Sequence, residues 1–189
     1  MRHLHLEKKG IRGLSIAESF TQNSKKSVLA GIVMRRDLVI DGFVFGKTTI
    51  SGNDATDEIL QMYEKLNRFD VSYLLISGVI ISLYNIVDIK KIHEKLKIPV
   101  IAITYNDSSG IEGALKHHFK DKAKPKIEEY QKLEERTKIK LKTNYEVYTR
   151  TEGCTFSEAK NLLNELTLQG SIPEPIRVAQ LLARTILLD

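Results

Sequence analysis

The first half of the chain alternates between apolar, β-branched runs and short turns. Such runs cover residues 13–18, 28–34 and 38–45, and the Arg35-Arg36-Asp37 segment forms a turn between the second and the third. Gly42 lies inside the third run and indicates a bulge. Three strand-like runs with short links predict an antiparallel meander.

The pattern changes to helical spacing after a Gly52-Asn53 turn. Apolar residues then recur along one helix face, at Ile59, Met62, Tyr63 and Leu66. Further elements follow in alternation: a strand at 72–76, a helix ending near residue 96, a strand at 99–105 and a helix over 110–119. This order predicts an α/β fold with a mixed sheet, in which the meander is followed by αβαβ crossovers and flanked by helices.

The segment from residue 120 to 150 is rich in charge, with ten Lys or Arg against six Asp or Glu. It predicts a helix to about residue 136 and a strand or hairpin arm over 138–148. A solvated helix and an edge strand blunted by lysines explain this composition. The alternative is a basic surface for a phosphate backbone. The candidate residues for contacting nucleic acid are Lys138, Lys140 and Lys142 of this segment and Arg177 further along the chain.

Two helices are predicted at the C-terminal end. Thr155 and Glu158 have the spacing of a capping box, and Gly170 is expected to end the helix that they begin. Pro173-Glu174-Pro175 begins the last helix, whose leucines lie nearly all round it and predict a position central to the core. We therefore expect one domain over residues 1–189, with the basic segment as an insertion.

Composition narrows the class of protein only slightly. The 189 residues are enough for a substantial core, and a net charge of +5 is compatible with phosphate-bearing partners. The single cysteine, Cys154, cannot form an internal disulfide. The sequence has no apolar stretch long enough for a signal peptide or a membrane span, so we expect a cytoplasmic protein without membrane contact.

Acidic pairs and histidines provide few local signals of chemistry. Asp54 and Asp57 precede the first helix, where they suit either helix capping or a hard divalent cation. Asn85 and Asp88 are predicted as the N-cap and the N3 acid of the second helix. The histidines lack partner ligands at a recognisable spacing and are predicted to be surface imidazoles: His3, His5, His117 and His118. Gly46-Lys47-Thr48 does not form a P-loop, because the earlier glycine is replaced by Asp41.

Five phrases together resemble a known family. They lie at residues 31–35, 37–42, 54–57, 85–88 and 172–179. In order and spacing they resemble a family of largely uncharacterised archaeal proteins labelled endonuclease dU. That family is similar to endonuclease V, a ribonuclease H-like nuclease that acts on deaminated bases. The implied fold, a ribonuclease H-like mixed sheet, agrees with the order of elements predicted above.

The resemblance implies two-metal phosphodiester hydrolysis with Mg²⁺ or Mn²⁺. Three positions where the family carries metal-binding groups are occupied here by Ala17, Ser77 and Gln180. Thr104-Tyr105 stands where endonuclease V has a lysine. The acids that remain as catalytic or metal-binding candidates are Glu18, Asp54, Asp57 and, for the metal alone, Asp88.

These departures favour an endonuclease V-like protein that binds DNA or RNA and has a degraded metal site, with weak or no nuclease activity. Two alternatives remain. One is an active Mg²⁺-dependent endonuclease on deaminated DNA or RNA, whose rearranged site uses the remaining acids together with Glu174. The other is a non-catalytic scaffold or regulatory subunit.

Overall fold

The structure is a computed structural model that describes residues 10–188. Its strands are β1 (Arg12–Ser19), β2 (Lys26–Arg35), β3 (Ile40–Thr49), β4 (Val71–Ile76), β5 (Ile80–Ile81), β6 (Asn85–Ile86), β7 (Val100–Thr104), β8 (Thr137–Lys140) and β9 (Glu146–Glu152). Its helices are α1 (Ala55–Leu66), α2 (Ile89–Leu96), α3 (Glu112–Phe119), α4 (Ala123–Gln131), α5 (Phe156–Leu166) and α6 (Glu174–Leu188), with a 3-10 turn at Lys120–Lys122.

The main sheet has the order β3-β2-β1-β4-β7-β9-β8. Strands β1 to β3 form the predicted antiparallel meander, and β4 and β7 then run parallel to β1. The hairpin of β8 and β9 adds two strands beyond β7, with β9 antiparallel to it. The predicted mixed sheet is therefore confirmed. The short β5–β6 pair after β4 was not predicted.

Helices cover both faces of this sheet, because neighbouring residues of a strand point to opposite sides. On the side that we call the α1 face, Leu14 and Ile16 of β1 pack with Ile59 of α1 and Ile92 of α2. On the other side, the α6 face, one apolar cluster joins the sheet to α5 and to the beginning of α6. A smaller cluster packs β1 and β2 against α6 near Ala179.

Several predicted boundaries are wrong. Helix α4 ends at Gln131 and not near residue 136, and Leu133 after it packs against the core of the α1 face. Helix α5 ends at Leu166, where the Thr167 hydroxyl donates to the Leu163 carbonyl at 2.7 Å; Gly170 lies in the turn beyond. The capping box that begins α5 is present as predicted.

The last helix is not buried all round. Leu181 is 56% exposed and Leu188 is 77% exposed, because α6 packs only one side against the sheet. The bulge predicted at Gly42 falls next to it, since the register of β2 and β3 skips Asp41. Across residues 10–188, no helix combines the length and the apolar character needed to cross a membrane. His3 and His5 lie outside the described residues.

Candidate functional site at the strand ends

The carboxyl ends of the parallel strands β1, β4 and β7 meet at one edge of the sheet, a common place for ligand sites in α/β folds. Ala17 and Glu18 lie near the end of β1, and Ser77 follows β4 directly. Helix α6 brings Gln180 to the same edge, where its Nε2 donates to Ser77 Oγ at 3.3 Å. The fold thus places Ser77 and Gln180, two positions singled out by the resemblance, in contact.

The α6 face of this edge carries neutral groups. Ala17 is buried against Ile32, Met34 and Ala179, all apolar. Burial raises the pKa of the Tyr105 hydroxyl, and the neighbouring Ser77 hydroxyl opposes this only in part. A methyl, two hydroxyls and an amide therefore occupy the place where the resemblance implies charged ligands.

A pair of divalent cations does not fit this donor set. Mg²⁺ binds through hard oxygens and favours one or two carboxylates, whereas Ser77 and Gln180 supply neutral oxygens and Ala17 supplies none. Over the described range 10–188, no three His, Cys, Asp or Glu side chains are grouped so that they could hold a metal ion.

Glu18 points to the α1 face, away from Ala17, and is bound there to Ser82. Its carboxylate accepts hydrogen bonds from the Ser82 backbone N–H at 2.7 Å and from the Ser82 hydroxyl at 2.8 Å. The Ser82 hydroxyl also bonds to the buried hydroxyls of Ser27 and Thr48, each at 2.5 Å. Burial raises the pKa of Glu18, and the bonds from Ser82 and Ser27 offset it only in part.

The segment that Glu18 binds has an unusual backbone. Ser82, Leu83 and Tyr84 follow one another with φ of 47°, 53° and 74°, all in the left-handed region that non-glycine residues rarely adopt. The Tyr84 ring packs against His118 with centroids 5.1 Å apart, and His118 Nε2 is 3.0 Å from Ser51 Oγ. Because residues 82–84 include no glycine, this turn could not be recognised from the sequence.

Asp54 is the N-cap residue of α1, but its side chain makes no capping hydrogen bond to that helix. Its carboxylate accepts from the Thr49 backbone N–H at 3.0 Å, from the Thr49 hydroxyl at 2.7 Å and from Asn85 Nδ2 at 2.7 Å. Burial raises the pKa of Asp54, but these hydrogen bonds outweigh it and leave the pKa below its ordinary value. The cap of α1 is supplied by Asn85, whose Oδ1 accepts from the Ala55 N–H at 3.1 Å. The prediction that Asn85 caps α2 is therefore wrong.

Two carboxylates accept hydrogen bonds from backbone N–H groups along the outer edge of β3. The Lys47 N–H donates to Glu58 at 3.3 Å, next to the Thr49 N–H that donates to Asp54. Helix α1 can approach so closely because Gly46 has no side chain: a Cβ there would lie 2.4 Å from Glu58 Oε1. The Gly46-Lys47-Thr48 segment thus lies near the end of strand β3, where helix α1 covers it.

The remaining candidate acids are each engaged in a hydrogen bond or an ion pair within the fold. Asp57 forms an ion pair with Lys91 at 2.7 Å. Asp88 is the N-cap of α2, accepting from the Lys91 N–H at 2.9 Å, and not its N3 residue. Glu174 is buried and paired with Arg177. Each acid retained from the sequence prediction therefore has a structural partner of its own.

The predicted basic contacts differ in their surroundings. Lys138 is bound to Glu146 at 2.7 Å, which raises the pKa of its ammonium group, and Arg177 is paired with Glu174. Lys140 and Lys142 are exposed near the end of the β8–β9 hairpin.

A cavity of about 350 Å³ lies between the ends of β4 and β7 and the 120–150 segment. Its polar lining includes Ser77, Thr104, Tyr130, Arg136 and Arg150. Sequence analysis missed it, because the two arginines lie far apart along the chain from the strand ends that they face.

The model of the endonuclease dU family matches residues 9–187. The chain belongs to the endonuclease dU family. A relative from Pyrobaculum calidifontis, named only as a UPF0215 protein, is 35% identical over 171 residues, which cover 90% of this chain and 93% of the relative.

Solved structures agree with this assignment. A protein of unknown function from Archaeoglobus fulgidus superposes with a TM-score of 0.79 at 25% identity, over 94% of this chain and 99% of that one. Endonuclease V from Ciona intestinalis, in complex with a 24-mer DNA containing an inosine, gives a TM-score of 0.66 at 13% identity, over 100% of this chain and 91% of that one. The ribonuclease H-like fold implied by the sequence is confirmed.

Proposed function

We propose that this member of the endonuclease dU family is an endonuclease V-like protein that binds DNA or RNA and has weak or no nuclease activity. The observation that carries the proposal is the contact of Gln180 with Ser77 at the strand ends, beside the buried methyl of Ala17. Neutral groups bonded to one another do not supply the negative charge that holds Mg²⁺ or Mn²⁺.

The residual acids do not readily replace the missing charge. Glu18 lies on the opposite face of β1, while Asp54 and Asp57 are bound to Thr49 and Lys91. Recruiting these acids to a common metal would break these bonds. If Asp88 also bound the metal, it would give up its capping hydrogen bond to α2. The alternative of an active, rearranged site therefore has a structural cost, and it serves below as an outcome of the tests.

Nucleic-acid binding is supported by charge and by the fold. The chain has a net charge of +5, with Lys140 and Lys142 exposed on the added hairpin. The endonuclease V of Ciona intestinalis, which shares the fold, was solved with DNA bound. Lys138 and Arg177 are expected to contribute less, because each is already paired with an acid.

Binding is tested with fluorescent single- and double-stranded oligonucleotides over a range of salt concentrations. We expect the logarithm of the affinity to fall linearly with the logarithm of the salt concentration, as it does when cations replace counterions on phosphates. The double variant Lys140→Gln/Lys142→Gln should flatten that slope. An absence of binding to every oligonucleotide at low salt would favour the scaffold or regulatory alternative.

Hydrolysis is tested with uracil- and hypoxanthine-containing strands in Mg²⁺ or Mn²⁺. We expect no cleavage above that of a metal-free control. If the protein cleaves, and Asp54→Asn abolishes cleavage while the folded variant still binds, the degraded-site proposal is wrong and the rearranged endonuclease is correct. Asp121→Asn, which changes an exposed acid in the 3-10 turn between α3 and α4, is the matched control.

A further inference from the structure

Among residues 10–188, Arg150 is a half-buried cation without an acidic partner in contact. Within the described residues, no carboxylate oxygen lies within 4.0 Å of its guanidinium nitrogens. Its Nε donates to the Glu134 carbonyl at 2.5 Å, and the Tyr130 hydroxyl lies beside it. A guanidinium has five N–H donors, so donors remain for a ligand in the cavity that Arg150 lines.

A second guanidinium is fixed in the same cavity. Arg136 donates to the Asn106 carbonyl at 3.0 Å and to the Ser108 carbonyl at 2.6 Å, and it stacks on the Tyr148 ring at 4.9 Å. Its acidic partner, Asp107, is 3.3 Å away and 77% exposed. The cavity therefore combines two arginines, one of them paired, with the hydroxyls of the strand ends.

We propose that this cavity binds a phosphate group, with Arg150 as its main cation; the proposal rests on the nucleic-acid-binding function above and names the group recognised. Arginine presents paired N–H donors that match two phosphate oxygens at once. A volume of about 350 Å³ is at the small end of ligand sites, which suits a phosphate with one attached nucleoside and not a duplex. The phosphate belongs either to a free mononucleotide or to the end of a strand.

A purely structural role for Arg150 gives a different expectation. An adjacent cavity of about 600 Å³ shares Arg150 and is lined by Asp88, Glu129, Glu134 and Glu152. Burial, followed by repulsion from Glu134, raises the pKa of Glu152. If Arg150 served only to offset these acids, its removal would lower stability and raise the pKa of Glu152 further, but would leave phosphate binding unchanged.

The test compares Arg150→Gln and Arg150→Lys with Arg184→Gln, which removes an exposed arginine on α6. Fluorescence anisotropy measures binding of 3′-labelled single strands that carry either a 5′-phosphate or a 5′-hydroxyl, and inorganic phosphate and AMP serve as competitors. We expect Arg150→Gln to weaken binding of the phosphorylated strand at least about tenfold and Arg150→Lys to weaken it less. Arg184→Gln should change it less than about twofold.

The outcomes separate the two proposals. Competition by AMP together with preference for the 5′-phosphate identifies a terminal phosphate, whereas competition by AMP without that preference identifies a free mononucleotide; both support the site. Oligonucleotide binding that Arg150→Gln leaves intact, in a variant with unchanged thermal unfolding, overturns the phosphate site and leaves the proposed function standing. If no strand binds, AMP binding is measured directly by isothermal titration calorimetry: binding that depends on Arg150 supports the site and overturns the proposed function, and no AMP binding overturns both.

Discussion

The two faces of the sheet edge at the strand ends differ in how their polar groups are used. On the α6 face, Ala17, Ser77 and Gln180 are neutral, and Gln180 donates a hydrogen bond to Ser77. On the α1 face, the carboxyl oxygens of Glu18 and Asp54 are already occupied by hydrogen bonds. The three positions on the α6 face therefore offer no carboxylate, whereas the carboxylates of Glu18 and Asp54 on the α1 face are used to build the fold.

This difference shows why the number of acids in a sequence is a poor guide to a metal site. Ala17 and Glu18 are neighbours along the chain, yet one packs under α6 and the other binds Ser82 on the opposite side of the sheet. An acid moved by one position along a strand is moved to another environment.

The largest effect is expected from placing a carboxylate on the α6 face. Ala17→Asp would bury a charge among Ile32, Met34 and Ala179, and we expect it to lower the free energy of unfolding by about 3 kcal/mol at pH 7. Burial would raise the pKa of the new carboxyl in the folded state, so the loss should shrink as the pH falls below that pKa. Urea unfolding at pH 7 and pH 4.5 measures both effects. A loss that Mn²⁺ fully reverses would contradict the separation of the two faces.

Removing the carboxylate from the α1 face should have the next largest effect. Glu18→Ala leaves the Ser82 N–H and the bonded hydroxyls without their acceptor, and we expect a loss of about 2 kcal/mol. Glu18→Gln keeps one acceptor oxygen and should cost about half as much. If both variants unfolded like the wild type in urea, Glu18 would not stabilise the α1 face.

The ionisation of Glu18 adds a pH test. Its pKa is raised in the folded state, so the folded protein binds this proton more tightly than the unfolded chain does. The corresponding stability is fully present below the ordinary pKa of a glutamate and is lost as the pH rises through the raised value. The stability of the wild type relative to Glu18→Gln should therefore decline over that interval. A flat difference between the two proteins would mean that Glu18 is not buried as described.

A smaller effect is expected at Asp54. Asp54→Asn weakens the bonds from Thr49 and Asn85, and we expect a loss of about 1 kcal/mol at neutral pH. Because the folded-state pKa is lowered, this contribution is present above the ordinary pKa of an aspartate and disappears as the pH falls through the folded value. Thermal unfolding from pH 7 to pH 3 would detect the trend, and Asp121→Asn should not share it.

The smallest effect is expected at the neutral contact itself. Gln180→Leu removes a partly buried hydrogen bond of 3.3 Å, and we expect a change of about 0.5 kcal/mol or less in the free energy of unfolding. A much larger loss in the same urea titration would show that Gln180 and Ser77 are part of the framework and not of an accessible site.

The sequence predicted the architecture well where hydrophobic spacing was strong. The meander, the helix face of Ile59 and Met62, and the capping box at Thr155 all depend on residues within a few positions of one another. The family resemblance implied a ribonuclease H-like mixed sheet, and the order of the strands within it came from the structure. Helix ends such as that of α4 were missed because Leu133 leaves the helix to pack against the distant core of the α1 face.

The candidate site was predicted only in outline. The positions of Ser77 and Gln180 followed from the resemblance, but their hydrogen bond depends on how α6 crosses the sheet. The partners of Asp54 and Asn85 were misjudged because each reaches across a loop to a residue more than four positions away. Arg150 could not be singled out from the sequence. Its cavity and its lack of a contacting carboxylate among residues 10–188 are visible only in the folded structure.

The carboxylates along the outer edge of β3 affect how mutants of this protein should be interpreted. Asp54 and Glu58 occupy N–H groups that would otherwise be free to pair with a strand from another molecule. An alanine at either position exposes that ladder, so a variant can lose activity by self-association without any change in its chemistry. Light scattering on every such variant is needed before a lost activity is assigned to a lost ligand.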